Sequence, residues 1–268
     1  MELTTLCGNS VSRLGFASQY LRESTCVDTA FNASINYFFF YNLSSKQFLD
    51  ELKHLLVNRR EVLFISTGSE HRNLKALNRD LDQVRQTLNI DVVDAFFAEY
   101  LSSRDEPSDI LAMLNTLRTW KEKGRIRYVG VSTHNPRIAL NLIENQQCDV
   151  LMYRYNMAHR KAEVDILPAA RQAGIPVVAF TCTRWGTLLE KPANWSEAPP
   201  TAADCYRFAL QHPGVRLALT SPATKAELES NLSVLHAPPL APQELARWRR
   251  YGDLVYGSGQ DAFETKWP

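Results

Sequence analysis

Short, mostly apolar runs recur along the chain, and longer stretches with apolar positions three and four apart separate them. The short runs are residues 36–41, 61–66, 92–98, 127–132, 149–154, 175–180 and 214–220, with 14–17 as a weaker eighth. A strand that is apolar along its whole length is one covered on both faces, as in a parallel sheet. The longer stretches read as amphipathic helices. Residues 45–58 set Phe48, Leu49, Leu52, Leu55 and Leu56 on one face, and 74–88 do so with Leu74, Leu77, Leu81, Val84 and Leu88. A third helix opens at Ser108 and stops at Gly124 behind Lys121 and Lys123, where a left-handed glycine and cations suit a helix end. A fourth begins at Asn135-Pro136, since proline is tolerated in a first turn. Residues 163–173, 201–210, 226–235 and 242–256 complete the set.

Strand and helix alternate to the end without a linker, which argues for a parallel sheet, open or closed. An open doubly wound sheet lacks support, because no GxGxxG follows the first run. Eight strands predict a single (β/α)8 barrel over residues 1–268, with an extra C-terminal helix outside it. The length of 268 residues agrees with such barrels, which run to about 250.

Charge and cysteine content narrow the function classes. Thirty Lys+Arg against 29 Asp+Glu leave a net charge of +1, so no basic field is expected to draw nucleic acid or an anionic membrane surface. Cys7, Cys26, Cys148, Cys182 and Cys205 form no CxxC pair, so neither a disulfide framework nor a metal site is expected. The first seven residues do not read as a signal peptide, and no apolar run approaches the ~18 residues of a membrane span. A cytoplasmic protein with reduced thiols and a small-molecule ligand is the expectation.

Several segments, in order, resemble the aldo-keto reductase family: Asp91-Val92-Val93-Asp94-Ala95-Phe96-Phe97-Ala98, Lys123-Gly124-Arg125-Ile126-Arg127-Tyr128-Val129-Gly130-Val131-Ser132, Asp149-Val150-Leu151-Met152-Tyr153, Gly174-Ile175-Pro176-Val177-Val178-Ala179-Phe180 and His212-Pro213-Gly214-Val215. The resemblance implies the barrel fold and, as activity, carbonyl reduction by NADPH with a Tyr proton donor tuned by Lys, Asp and His. This chain departs from that pattern. Phe39 falls at the aspartate, Gly68 at the lysine and Glu99 at the histidine, and the region of the tyrosine, Asn42-Leu43-Ser44, is shortened. Tyr41 is the nearest substitute proton donor. Of the implied cofactor contacts, Ser132, Phe180 and Asn231 remain as candidates, while Met152 replaces a glutamine and Glu227 falls near the arginine that pairs with the 2′-phosphate. A carboxylate there repels that group, so NADP(H) binding is expected to be weakened.

Barrel sites are built at the C-terminal strand ends. Those ends carry Glu99 and Tyr100, His134, Tyr153 and Arg154, and Arg184 and Trp185. Glu99 follows Phe96-Phe97-Ala98 and is the acid/base candidate, with a carboxyl raised by desolvation. Arg154 and Arg184 are candidates to grip an anion, and His134 to transfer a proton. Plainer readings stand beside these. Glu99 pairs with Arg154 across the mouth, His134 helps cap a helix, His159-Arg160-Lys161 is a solvated helix start, and Cys182 is a buried inert thiol. Three classes stay open: acid/base chemistry on a small anionic metabolite, an atypical NADP(H)-dependent oxidoreductase, and a non-catalytic binding protein.

Overall fold

All eight apolar runs form strands: β1 (Leu14–Ser18), β2 (Tyr37–Phe40), β3 (Phe64–Ser69), β4 (Val93–Leu101), β5 (Ile126–Thr133), β6 (Val150–Arg154), β7 (Val177–Phe180) and β8 (Val215–Thr220). They pair in sequence order, every pair parallel, and β8 returns to β1, closing the barrel. The computed structural model describes residues 2–18, 21–257 and 259.

Burial on both faces explains the mostly apolar runs. Tyr37, Phe39, Phe64, Ala95, Phe97, Val150, Met152, Val178 and Phe180 fill the barrel interior. Phe38, Phe40, Ile65, Phe96 and Ala98 face the other way, into the layer beneath the helices. Buried Asp94 ties three strands together: it accepts from the Ile65 amide at 2.8 Å and pairs with Arg60 at 2.9 Å and Arg127 at 2.7 Å.

The helices are α1 (Cys26–Asn32), α2 (Lys46–Arg59), α3 (Leu74–Leu88), α4 (Pro107–Glu122), α5 (Pro136–Glu144), α6 (Ile166–Gln172), α7 (Ala202–Gln211), α8 (Lys225–Leu232) and α9 (Pro242–Tyr256). The sequence reading lacks α1, which has seven residues and follows a left-handed Thr25 with no side-chain cap. Asn135 caps α5 by accepting from the Arg137 and Ile138 amides, so the cap belongs to Asn135 and not to His134. None of the described helices is long and apolar enough to cross a membrane.

The two barrel ends differ. An antiparallel bridge between Thr4 and Ser10 folds the first residues back, and Leu3 and Val11 join the interior core. Arg127 and Tyr128, at the start of β5, hold this segment through the Thr4 carbonyl (2.6 Å) and amide (3.2 Å). The N-terminal end is thereby plugged, and the C-terminal end is left as the mouth.

Candidate active site

On β4 the alternating inward positions are Ala95, Phe97 and Glu99, and on β3 they are Phe64, Ser66 and Gly68. Glu99 is only 3 % exposed. Its chain lies over Gly68: a Cβ on Gly68 would meet Glu99 Cγ at 2.6 Å, Cδ at 2.8 Å and the Phe97 carbonyl oxygen at 2.5 Å. The acid thus fills the space that any side chain at position 68 would enter. Among the described residues Glu99 Oε1 has no hydrogen-bond partner. Burial pushes the carboxyl well above its ordinary range, the like charge of Glu70 pushes it further, and Arg72 acts in the opposite sense.

A bulge gives this strand end two inward residues in a row. Ala98 pairs with Val131 but Leu101 with Thr133, so β4 carries one residue more than β5. Tyr100 takes up the excess with φ 51°, and its amide donates to Ser132 Oγ at 2.8 Å. Its ring then packs with Tyr41 on the inner core. Arg72 fixes the bulge by donating to the carbonyls of Glu99 (2.9 Å) and Tyr100 (3.1 Å), while pairing with Asp105 at 2.9 Å. Tyr41 stands edge-on to Phe39 at 4.8 Å. Burial, then Tyr100, then Glu99 raise its phenol, and burial followed by Glu99 lifts the Tyr100 phenol to about 12. Both phenols are therefore neutral donors near pH 7.

The remaining predicted residues lie across the mouth. His134 sits between Tyr100 and Phe180, with ring centroids 5.9 and 5.2 Å away and tilts of 38° and 32°. Burial, then Arg154, lowers its pKa to about 4, so it is neutral at pH 7. Arg154 is buried on β6 and lines a separate cavity of about 190 Å³ with Tyr153, His159, Lys161 and Tyr256. The expected Glu99–Arg154 pair is not formed; the cation acting on Glu99 is Arg72. Arg184, expected to grip an anion beside Arg154, donates instead to the Val255 carbonyl near the end of α9. His159 is buried rather than a solvated helix start. Cys182 is buried and its thiol is pushed up to about 12, in keeping with an inert role.

Glu99 and Tyr41 share a groove of about 280 Å³ with Thr67, Gly68, Glu70, His71 and Asp80. Its charged lining is largely carboxylate, so it does not suit the anionic substrate expected from the sequence. The sequence reading passed over His71, Arg72 and Asp80. A signal for the first two was present in the polar run Ser69-Glu70-His71-Arg72 directly after β3, but Asp80 lies on α3 with no spacing that links it to them. Among the described residues no group of three His, Cys, Asp or Glu is placed to hold a metal ion.

The candidate cofactor residues each have a partner within the chain. Ser132 Oγ is taken by the Tyr100 amide, and one face of Phe180 by His134. Asn231 Nδ2 donates to Thr220 Oγ1 at 3.0 Å. At the start of α8 the amides of Ala223 and Lys225 donate to Glu227 and Glu23, each at 2.7 Å. Two of the chain's own carboxylates thus occupy a helix terminus suited to an anion, and they repel a phosphate.

Comparison with known proteins bears on this arrangement. Residues 23–202 match the Aldo/keto reductase family. The curated NADH-specific methylglyoxal reductase of Escherichia coli (strain K12) is 24% identical over 134 residues, a match that spans 48% of this chain and only 41% of that protein. A solved aldo/keto reductase from Klebsiella pneumoniae in complex with NADP and acetate superposes with a TM-score of 0.77 at 18% identity, covering 94% of this chain and 96% of the other. A holo-form aldo-keto reductase from Bacillus halodurans gives 0.76 at 19% identity, with 90% and 92% covered. At these identities the solved structures speak for the fold.

Proposed function

Because the chain belongs to the aldo/keto reductase family, we propose that it is an enzyme built on that barrel in which Glu99, kept as a neutral carboxylic acid, donates a proton to the carbonyl oxygen of a small uncharged substrate. The observation that carries this reading is the way Glu99 occupies the space over Gly68. Loss of a side chain at 68 and gain of an acid at 99 are one change in space, and they put a desolvated proton donor at the floor of a groove.

Burial raises the Glu99 carboxyl well above its ordinary range, in the direction of the protonated form that donation requires. Its unpartnered Oε1 leaves hydrogen-bonding capacity for a ligand. Tyr41 lines the same groove and Tyr100 stands beside it, both as neutral phenols able to orient a carbonyl by hydrogen bonding. Arg72 acts through the backbone, holding the bulge that aims both Glu99 and Tyr100 inward. Glu70 and Asp80 at the rim disfavour an anion, so the substrate is neutral.

General acids contribute about 10²–10⁴-fold, so Glu99→Gln is expected to lower turnover of small aldehydes and ketones at least about 100-fold. Difference infrared spectroscopy gives a readout independent of substrate. A carboxylic C=O band that persists at neutral pH and is missing from Glu99→Gln is the expected result. No such band, with turnover unchanged in the variant, would remove Glu99 as the acid.

A nicotinamide-dependent oxidoreductase is the second reading, favoured by Ser132 and Phe180 near the C-terminal ends of β5 and β7 and by the cofactors named for the relatives. Glu23 and Glu227 make NADH the better tolerated form, since it lacks the 2′-phosphate. Calorimetric titration with NADH and NADPH decides between the readings, and saturable binding of either would favour the second.

A further inference from the structure

The groove beside Glu99 contains an oriented imidazole that the reading above leaves unused. We propose that His71, positioned by Asp80, is the base that works with Glu99, and that the pair enolises and isomerises small uncharged α-hydroxycarbonyl compounds. This rests on Glu99 being the acid of the site.

The cluster is built where β3 gives way to α3. The His71 amide donates to Ser69 Oγ at 3.0 Å, folding the chain back. That turn brings the ring to Asp80, in the second turn of α3. Asp80 Oδ2 lies 2.6 Å from His71 Nδ1 and also accepts from Ser69 Oγ at 2.5 Å. A carboxylate only accepts, so Nδ1 carries the proton of this contact, and in the neutral ring Nε2 is the nitrogen with the lone pair. The His71 side chain is 54% exposed and lines the groove that holds Glu99. A merely structural role explains the contact poorly, because the start of α3 is already capped by Asn73, which accepts from the Lys75 and Ala76 amides.

His71, Asp80 and Glu99 line one cavity, with Thr67 and Gly68 in its wall. An acid at the floor and a base at the rim are the two groups that proton transfer next to a carbonyl requires. In an α-hydroxyaldehyde, His71 Nε2 takes the proton from the hydroxyl-bearing carbon. That C–H electron pair forms the new C=C bond, and the aldehyde oxygen takes the proton of Glu99, giving an enediol. The Glu99 carboxylate then takes the proton of the adjacent hydroxyl as its carbon becomes the new carbonyl. His71 returns its proton to the former aldehyde carbon. The product is the isomeric α-hydroxyketone, both residues regain their starting protonation, and no electrons enter or leave.

The test is hydrogen exchange in D2O with glycolaldehyde, glyceraldehyde and dihydroxyacetone, followed by proton NMR. Wild-type protein is expected to place deuterium on carbon next to the carbonyl, above the buffer rate, in at least one of them. His71→Gln should slow this at least about 100-fold. Asp80→Asn should lower kcat about tenfold with KM unchanged, since the residue orients the base without touching substrate. Exchange in His71→Gln within about twofold of wild type would overturn the base assignment, and if Glu99→Gln still loses exchange the acid assignment survives. Absence of exchange by wild type on all three compounds would overturn the isomerase proposal, while the infrared band of Glu99 separately decides the earlier reading.

Discussion

A side chain at position 68 has no room, and the reason lies in two different atoms. The Glu99 chain could swing away, but the Phe97 carbonyl oxygen, 2.5 Å from an added Cβ, belongs to the barrel wall. Gly68→Ala is therefore expected to destabilise the protein by about 1–3 kcal/mol, as overpacking of a filled core does. Adding Glu99→Ala should restore only part of that, because the backbone contact stays. Urea unfolding midpoints of the single and double variants check both statements; full restoration would place all the strain on the Glu99 side chain. The sequence showed each change separately, Gly at 68 and Glu at 99. That they share one space follows from the parallel pairing of Gly68 with Phe97 on the neighbouring strand.

Among the elements, β4 and α9 decide the shape of the mouth. The extra residue in β4 turns Tyr100 inward beside Glu99, whereas an unbroken pleat would send neighbours to opposite faces. Helix α9 is fastened to the loops after β6 and β7. Arg160 pairs with Asp253 at 2.6 Å, and the Tyr251 hydroxyl donates to the Leu188 and Glu190 carbonyls at 3.1 and 2.6 Å. At Gly252 the helix comes so near the chain that a Cβ would lie 1.9 Å from the Met157 carbonyl oxygen. Gly252→Ala is expected to cost about 3 kcal/mol or more, the upper end for overpacking. It should lower Tm and make the 155–160 loop sensitive to limited proteolysis. An unchanged Tm would mean that α9 rides on the barrel loosely. The boundaries of α3 and α9 were legible as 74–88 and 242–256 because amphipathic spacing, a terminal Asn or Pro and long length all agree there. Helix α1 was not, being seven residues long with only Cys26, Val27 and Ala30 buried.

For the molecule as a whole, the buried titratable groups of the mouth set how stability depends on pH. His134 has a folded pKa of about 4 against an ordinary 6.5. The unfolded chain then binds the proton more readily, so stability is full above about 6.5 and is lost as pH falls toward 4. At roughly 1.4 kcal/mol per unit, the loss attributable to His134 reaches up to about 3 kcal/mol. Glu99 works in the opposite direction: its folded pKa is raised, so the stability that its neutral form contributes is lost as pH rises through that value. Urea midpoints measured across pH should show the acid-side loss in wild type and a flatter limb in His134→Phe. Equal slopes for the two proteins would show that His134 does not carry it.

The order of the eight strands and of eight of the nine described helices was determined by the sequence alone. Mostly apolar runs alternating with amphipathic helices bury both faces in a parallel sheet wrapped in helices, and that constraint acts along the chain where it can be read. The location of Glu99 at the mouth was legible for the same reason, since it ends one of those runs. What only the tertiary structure decided is which charges meet. Arg154 and Arg184 stand at strand ends like Glu99, yet one lines a separate cavity and the other bonds to the end of α9. Asp80, which no sequence spacing connects to the barrel mouth, reaches the site through a folded-back loop, and Arg72 meets Glu99 through a backbone bulge. Charge pairing depends on distances across the barrel, and those are fixed by strand register, a bulge of one residue and side-chain packing rather than by position in the chain.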